Sequence, residues 1–322
     1  MIYLNCIGSY LPDDEVFNAS KLDKFSVSGD FLLNKIGIAS LRKKNPDEET
    51  SDMSVKAFHD LQTKAGFDRE DIDCLIVCTQ NPDGYGLPHT SAIVHEKLGL
   101  KQSCAVFDIS LGCSGYVYGL SIMKGFMLTN GLNNGVFITA DPYSKILDQN
   151  DKNTAFLFGD AATATLLTRT KQNAWTMGQF VFGSNGTNNQ AIYVDDAKRK
   201  LNMNGRDVFN FAATVIPSHI HDTLQKNNLS IEQIDQFILH QGSQFIVNTI
   251  QQKLGIAEEK APFLATDYGN TVSSSIPMIL KNTDTKHKYI LICGFGVGLS
   301  WGSCILERAE LIGQGIEQGD VV

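Results

Sequence analysis

The 322-residue chain has 43% hydrophobic and 19% charged residues, the balance of a globular protein long enough for one large or two fused domains. Its net charge of −8, with the densest basic run Arg42-Lys43-Lys44 offset at once by Asp47, Glu48 and Glu49, argues against a nucleic-acid partner. No apolar run reaches the ~20 residues that span a bilayer, no basic leader opens Met1-Ile2-Tyr3, and the seven cysteines lack paired spacing, so a cytoplasmic protein with reduced thiols and no membrane partner is expected.

In chain order, residues 2–8 read as a strand and 31–36 as a short helix closed by Gly37. Thr50-Ser51-Asp52 reads as the cap of a helix from Met53 to Ala65, stopped by Gly66. Residues 72–79 form a near-continuous apolar run of buried-strand type. Cys74 and Cys78 share one face of it, with no further ligand nearby to complete a zinc site. After the turn Pro82-Asp83-Gly84, Ser91 to Leu98 is helical and ends at Gly99. A strand from Ala105 to Ile109 then runs into small residues and Cys113, followed by the helical spacing Tyr116, Leu120, Met123, Met127. Residues 135–140 are the next buried strand.

The second half repeats this order. "SIEQIDQFILHQGSQ" (230–244) answers "DREDIDCLIVCTQNP" (68–82), and "QQKLGI" (251–256) answers "HEKLGL" (95–100). "YGNTVSSSIPMILK" (268–281) answers "LGCSGYVYGLSIMK" (111–124), and "KYILICGFG" (288–296) answers "NGVFITADP" (134–142). The offset stays between about 154 and 162 residues, which marks an internal duplication of a βαβα unit. Such alternation predicts a mostly parallel sheet with helices on both faces, and two halves, 1–170 and 171–322, facing each other.

The repeat has chemical content. Cys113 and Asn270 occupy equivalent helix starts, and His240, whose repeat partner is Cys78, ends a strand at the same sheet edge. A cysteine at a strand-to-helix junction meets unpaired N–H groups and the positive end of the helix dipole, which favour a thiolate; a buried space-filler is the ordinary alternative. A Cys/His/Asn set suits thioester chemistry, as nucleophile, imidazole donor or base, and amide donor. The run Gly294-Phe295-Gly296-Val297-Gly298 precedes a strand-like Leu299–Leu306 rather than a helix, which weakens a nucleotide-loop reading. Its glycines suit close backbone approach to a carbonyl oxygen.

These residues resemble a known family. The Cys113 stretch, "LHQGSQ" around His240, "GNTVSSSIP" around Asn270 and "GFGVGLSWGS" together look like β-ketoacyl-acyl-carrier-protein synthase III, of the thiolase superfamily. "LNMNGRDVFNFA" (201–212) and "FGDAATATLL" (158–167) match the same pattern, and the resemblance runs end to end. It implies an α/β thiolase fold, five-layered αβαβα from two duplicated halves, usually a homodimer, with no metal or redox cofactor. It further implies that Cys113 takes an acyl group from coenzyme A or an acyl-carrier protein. The N–H groups of Cys113 and Val297 would hold the oxyanion, while His240 and Asn270 bind a malonyl-type thioester for decarboxylative condensation.

The entrance departs from the family. Phe31 stands where a tryptophan stacks on the coenzyme A adenine, and Lys35 and Lys152 stand for arginines. Lysine keeps the charge and loses the bidentate fork. Asn210 and Phe245 replace basic residues of carrier-protein docking, and Phe209 and Ser243 lie along the pantetheine channel. Leu87 matches the position at which a dimer partner inserts a side chain into the acyl pocket. These departures point to a specialised synthase, of secondary-metabolite, lipid or surface-polysaccharide type, rather than the acetyl-CoA-primed housekeeping enzyme. Transfer to an oxygen or nitrogen nucleophile without decarboxylation, and an accessory subunit of a heterodimer, stay open. A hydroxymethylglutaryl-forming relative needs a glutamate where Gln80 and Asn81 stand.

Overall fold

The computed structural model describes residues 1–171, 173–284 and 286–309. The chain opens with β1 (Tyr3–Tyr10) and a small hairpin of β2 (Asp14–Phe17) and β3 (Ser40–Lys43). Between the hairpin strands lie α1 (Leu22–Phe25), α2 (Gly29–Phe31) and a wide π-type turn over Leu32–Ile36. Gly37 closes that turn at φ 75°, as its position predicts. The expected helix over 31–36 is therefore a one-turn helix running into a π turn.

Next come α3 (Thr50–Ala65), β4 (Cys74–Cys78), α4 (Thr90–Leu98), β5 (Ala105–Ile109), α5 (Gly115–Thr129), β6 (Asn134–Ala140) and β7 (Ala162–Thr168). The α3 cap differs from expectation. Glu49 is the N-cap and forms a reciprocal capping box with Asp52, so Thr50 and Ser51 are already helical. Gly66 closes α3 and Gly99 closes α4, both left-handed.

The second half runs β8 (Trp175–Met177), β9 (Val181–Ser184), the β10–β11 hairpin (Ile192–Asp195, Lys200–Met203) and α6 (Gly205–Lys226). Then follow β12 (Gln236–Leu239), α7 (Gln244–Leu254), α8 (Ser275–Leu280), β13 (Tyr289–Gly296) and β14 (Ser300–Arg308).

The sheet is mixed rather than mostly parallel. Only β4–β5, β4–β6 and β12–β13 pair in parallel, while β6–β7, β1–β7, β13–β14 and β8–β14 are antiparallel. In the first half the alternation β4-α4-β5-α5-β6 ends when β7 returns antiparallel beside β6, and in the second half β14 returns antiparallel beside β13. The two halves follow one plan: β4, β6 and β7 correspond to β12, β13 and β14, and α5 corresponds to α8. Pairing of Tyr3 with Thr176 and Leu4 with Trp175 joins both half-sheets into one hydrogen-bonded path.

Five layers result. Helix α5 touches β4 and β6 on one side and β13 and β14 on the other, and α8 lies beside it between the half-sheets. Helices α3 and α4 cover the outer face of the first half-sheet, and α6, packed against α7, covers the second. The central layer carries the largest core cluster, in which Tyr116, Leu120, Met123, Ile276 and Ile279 meet Cys74, Cys78, Ile238 and Ile292. Both cysteines of β4 thus face this core. The carboxyl ends of β4, β5, β12 and β13 converge where α5 and α8 begin, and that is where the site forms.

Candidate active site

Cys113, His240 and Asn270 all line one cavity of about 620 Å³, and Val297 stands on its wall. Cys113 lies two residues before α5, in the small-residue turn after β5. Two glycines of β13 let it sit there. A Cβ on Gly296 would fall 2.8 Å from Cys113 Sγ, and one on Gly294 would fall 2.6 Å from the Cys113 carbonyl oxygen. Only glycine tolerates such approaches. The backbone N–H groups of Val297 and Cys113 lie close enough to the Cys113 sulfur to lower its pKa. Ser300 Oγ donates to the Val297 carbonyl at 3.0 Å and bonds Ser114 Oγ at 2.7 Å, so the 297 turn is pinned to the start of α5.

The sequence suggested a helix-stabilised thiolate at Cys113. Burial opposes that: it pushes the thiol up to about 12, and the nearby Asp141 carboxyl acts in the same direction. The N–H groups of Val297 and Cys113 pull it down by less than burial raises it. The resting enzyme holds a neutral thiol.

His240 follows β12, with its own N–H donating to the Cys293 carbonyl at 2.9 Å. Burial alone drives its imidazole down to about 3, so the ring is neutral at physiological pH. The ring packs edge-on against Phe295 at 5.5 Å, and its Nε2 edge lies towards Gly242 on the cavity wall. Nδ1 finds no hydrogen-bond partner among the described residues.

Asn270 is clamped at both backbone ends to the first half. Its N–H donates to Leu157 at 2.8 Å, and its carbonyl accepts from Gly159 at 3.1 Å. Its Oδ1 accepts from the Val272 N–H at 2.9 Å, which leaves Nδ2 as the atom available to the cavity. Val272 adopts φ 54°, unusual for a β-branched residue, to make that turn.

The cavity wall near the sulfur is apolar: Tyr143, Leu157, Phe158, Ile192 and Met203. The lining also includes the exposed or half-buried Phe31, Lys35, Lys152, Phe209 and Phe245, and the buried Ser243. Lys35 Nζ sits 3.6 Å above the Phe245 ring, which stacks on Phe209 at 4.9 Å, and Lys152 Nζ is 5.9 Å from the Phe31 ring. Of the residues expected from sequence, all but Leu87 line this cavity. Leu87 is 94% exposed, on a loop whose Tyr85 is 91% exposed.

Arg206 was missed. It lies three residues before Phe209 on α6, one turn away on the same face, and that spacing was the available signal. With Arg206 the lining carries three cations and no carboxylate, despite the chain's net charge of −8. Arg206 thus restores positive charge at a mouth where Asn210 and Phe245 carry none.

The duplicated halves, the central helical layer and a cysteine, histidine and asparagine at one cavity define a thiolase-fold condensing enzyme. Residues 107–186 match the family 3-oxoacyl-[acyl-carrier-protein] synthase III, and residues 224–308 match its C-terminal domain. The β-ketoacyl-[acyl-carrier-protein] synthase III of Clostridium perfringens is 33% identical over 93% of this chain and 97% of its own length. That of Aliarcobacter butzleri is 31% identical over 97% of this chain and 99% of its own. Among solved structures, the Thermus thermophilus synthase III superposes with a TM-score of 0.87 at 30% identity, covering 94% of this chain and 98% of its own. The priming β-ketosynthase of the R1128 polyketide pathway superposes at 0.86 with 26% identity, covering 96% and 97%. The chain belongs to the β-ketoacyl-[acyl-carrier-protein] synthase III family.

Proposed function

We propose that the chain transfers an acyl group to Cys113 and condenses it with a malonyl-type thioester. The thiol loses its proton as its sulfur bonds the acyl carbon. The carbonyl oxygen gathers charge against the N–H groups of Cys113 and Val297, and the donor thiol leaves with a proton. His240, neutral and donating from Nε2, and Asn270, donating from Nδ2, then hold the thioester carbonyl of the extender. Carbon dioxide departs, the electron pair of the broken bond becomes an enolate stabilised by those donors, and its carbon attacks acyl-Cys113. The cysteine sulfur leaves and recovers a proton, and a β-ketoacyl thioester is released.

The observation that carries this reading is the single cavity in which Cys113, flanked by the Val297 turn, meets a neutral imidazole and an oriented amide. Each group is matched to charge that develops on oxygen, and the donors are fixed before reaction. The cationic mouth suits an acidic carrier protein or the phosphates of coenzyme A, delivered through the channel past Phe31, Phe209 and Ser243. We place the boundary between the duplicated halves at 170/171, and infer a cytoplasmic homodimer serving a specialised pathway. In that dimer, Leu87 of one protomer would reach the acyl pocket of the other.

Incubation with acyl donors, followed by intact mass measurement, is expected to show one acyl adduct that Cys113→Ala abolishes. Addition of a malonyl thioester is expected to release carbon dioxide and a β-ketoacyl product. An adduct formed without any release of carbon dioxide would instead support transfer to an oxygen or nitrogen nucleophile.

A further inference from the structure

Two buried serines that the reaction above does not use tie the Val297 turn to the nucleophile. Ser114 follows Cys113 and is 1% exposed, and Ser300 opens β14 and is 7% exposed. Neither lines the cavity. Ser300 Oγ donates to the Val297 carbonyl at 3.0 Å, which commits its single proton. The 2.7 Å bond between Ser114 Oγ and Ser300 Oγ is therefore donated by Ser114. The two hydroxyls form a one-way chain from the residue beside the nucleophile to the turn that carries the Val297 N–H.

The Ser114 hydroxyl does not serve its own helix. Ser114 is the N-cap of α5, where a serine side chain ordinarily accepts from the first-turn N–H groups, yet it makes no cap bond. It reaches across to β14 instead. On the far side, β13 and β14 pair as far as Gly296 and Ser300, and residues 297–299 lie outside the ladder. Leu299 is held by backbone bonds of 2.8 and 3.3 Å to Asn185. Gly298 sits at φ 136°, a conformation open to glycine, so the backbone beyond Val297 has little stiffness of its own. Between the ladder and Leu299, the Ser300 hydroxyl restrains Val297.

We propose that Ser114 and Ser300 are positioning residues that hold the Val297 N–H where it and the Cys113 N–H bind the same oxyanion. This rests on Cys113 being the acyl-accepting nucleophile. An oxygen that gathers charge during acylation is stabilised by donors already in place, so a displaced donor costs rate rather than affinity. Ser300 acts directly on the turn. Ser114 acts through Ser300, by keeping that hydroxyl pointed at the Val297 carbonyl.

The test follows Cys113 acylation by intact mass across donor concentration, with the fastest of acetyl-, butyryl- and octanoyl-coenzyme A. It compares the natural protein with Ser300→Ala, Ser300→Thr, Ser114→Ala and the double alanine variant. Ser300→Ala is expected to lower the rate at saturating donor by about tenfold or more, with the half-saturating concentration little changed. Ser114→Ala is expected to lower it less. The double variant is expected to fall no further than Ser300→Ala, because one serine works through the other. Ser300→Thr, which keeps the hydroxyl, is expected to retain most of the rate. Alkylation of Cys113 by iodoacetamide builds no oxyanion, and in Ser300→Ala it is expected to change far less than acylation does. Natural acylation rates in both single variants, losses that multiply in the double variant, or alkylation that falls as far as acylation overturn the proposal and leave the condensing reaction standing. Absence of a Cys113 adduct on the natural protein with every donor overturns both. If Ser300→Ala does not fold, Ser114→Ala, which removes no cap bond, decides: an unchanged acylation rate overturns the proposal.

Discussion

Two ionisable residues set the character of the site. Cys113 rests as a thiol because burial and the Asp141 carboxyl outweigh the two N–H groups close to its sulfur. Its alkylation by iodoacetamide is therefore expected to rise roughly tenfold per pH unit from about pH 7 to 9 with no plateau. A plateau in that window, read by intact mass, would show a stabilised thiolate instead. Asp141 is itself pushed up to about 7 by burial, against the hydrogen bonds from Asn81 and Gln80 that lower it. In the unfolded chain the same carboxyl ionises near pH ~4, so the folded state binds the extra proton between about pH 4 and 7. Stability contributed by this group therefore falls as pH rises through that window and is at its lowest above it. Asp141→Asn keeps Oδ1 as the acceptor of both bonds and removes the buried charge. It is expected to flatten the pH dependence of urea unfolding between about pH 4 and 7, and to stabilise the protein at pH 8 by up to about 4 kcal/mol. An unchanged slope would mean that Asp141 is ionised throughout.

Among the elements, α5 matters most because Cys113 lies two residues before its start and it touches both half-sheets along its length. Gly119 makes this contact possible. A Cβ there would fall 1.9 Å from Cζ of the buried Phe137 on β6. Gly119→Ala would gain about 1 kcal/mol of helix propensity, yet overpacking typically costs about 1–3 kcal/mol and here forces a ring and a helix apart. Net destabilisation in urea unfolding is the expected result, together with slower Cys113 acylation as α5 shifts away from β6. A stabilised variant would show that the ring moves aside freely. The same element illustrates what periodicity can carry. Tyr116, Leu120, Met123 and Met127 are all buried, as their helical spacing predicts. The start of α3 shows the reverse. Thr50-Ser51-Asp52 offers three plausible caps, and the choice of Glu49 rests on the reciprocal bond with Asp52 that spacing alone does not rank.

Across the whole molecule, an acidic chain presents a cationic mouth: Lys35 from the turn before Gly37, Lys152 from the segment after β6, and Arg206 from α6. Lys152→Glu and Arg206→Glu are each expected to raise KM for a carrier-protein donor by about tenfold with kcat little changed. The effect should shrink as ionic strength rises past about 0.3 M. A salt-independent KM would remove electrostatic docking from the account. The sequence by itself determined the duplication, the order of the elements around the site, and the three residues Cys113, His240 and Asn270 that share one cavity. Repeats and periodicities are local patterns, and equivalent positions in two copies of one unit meet at the same sheet edge by symmetry. Tertiary structure alone decided the rest. The mixed sheet depends on which strand returns beside which, and the inclusion of Arg206 depends on the face α6 turns to α7 and the cavity. The neutral thiol of Cys113 and the neutral ring of His240 follow from how much water the folded chain removes from each. Desolvation is a property of the packed whole, and no spacing of letters records it.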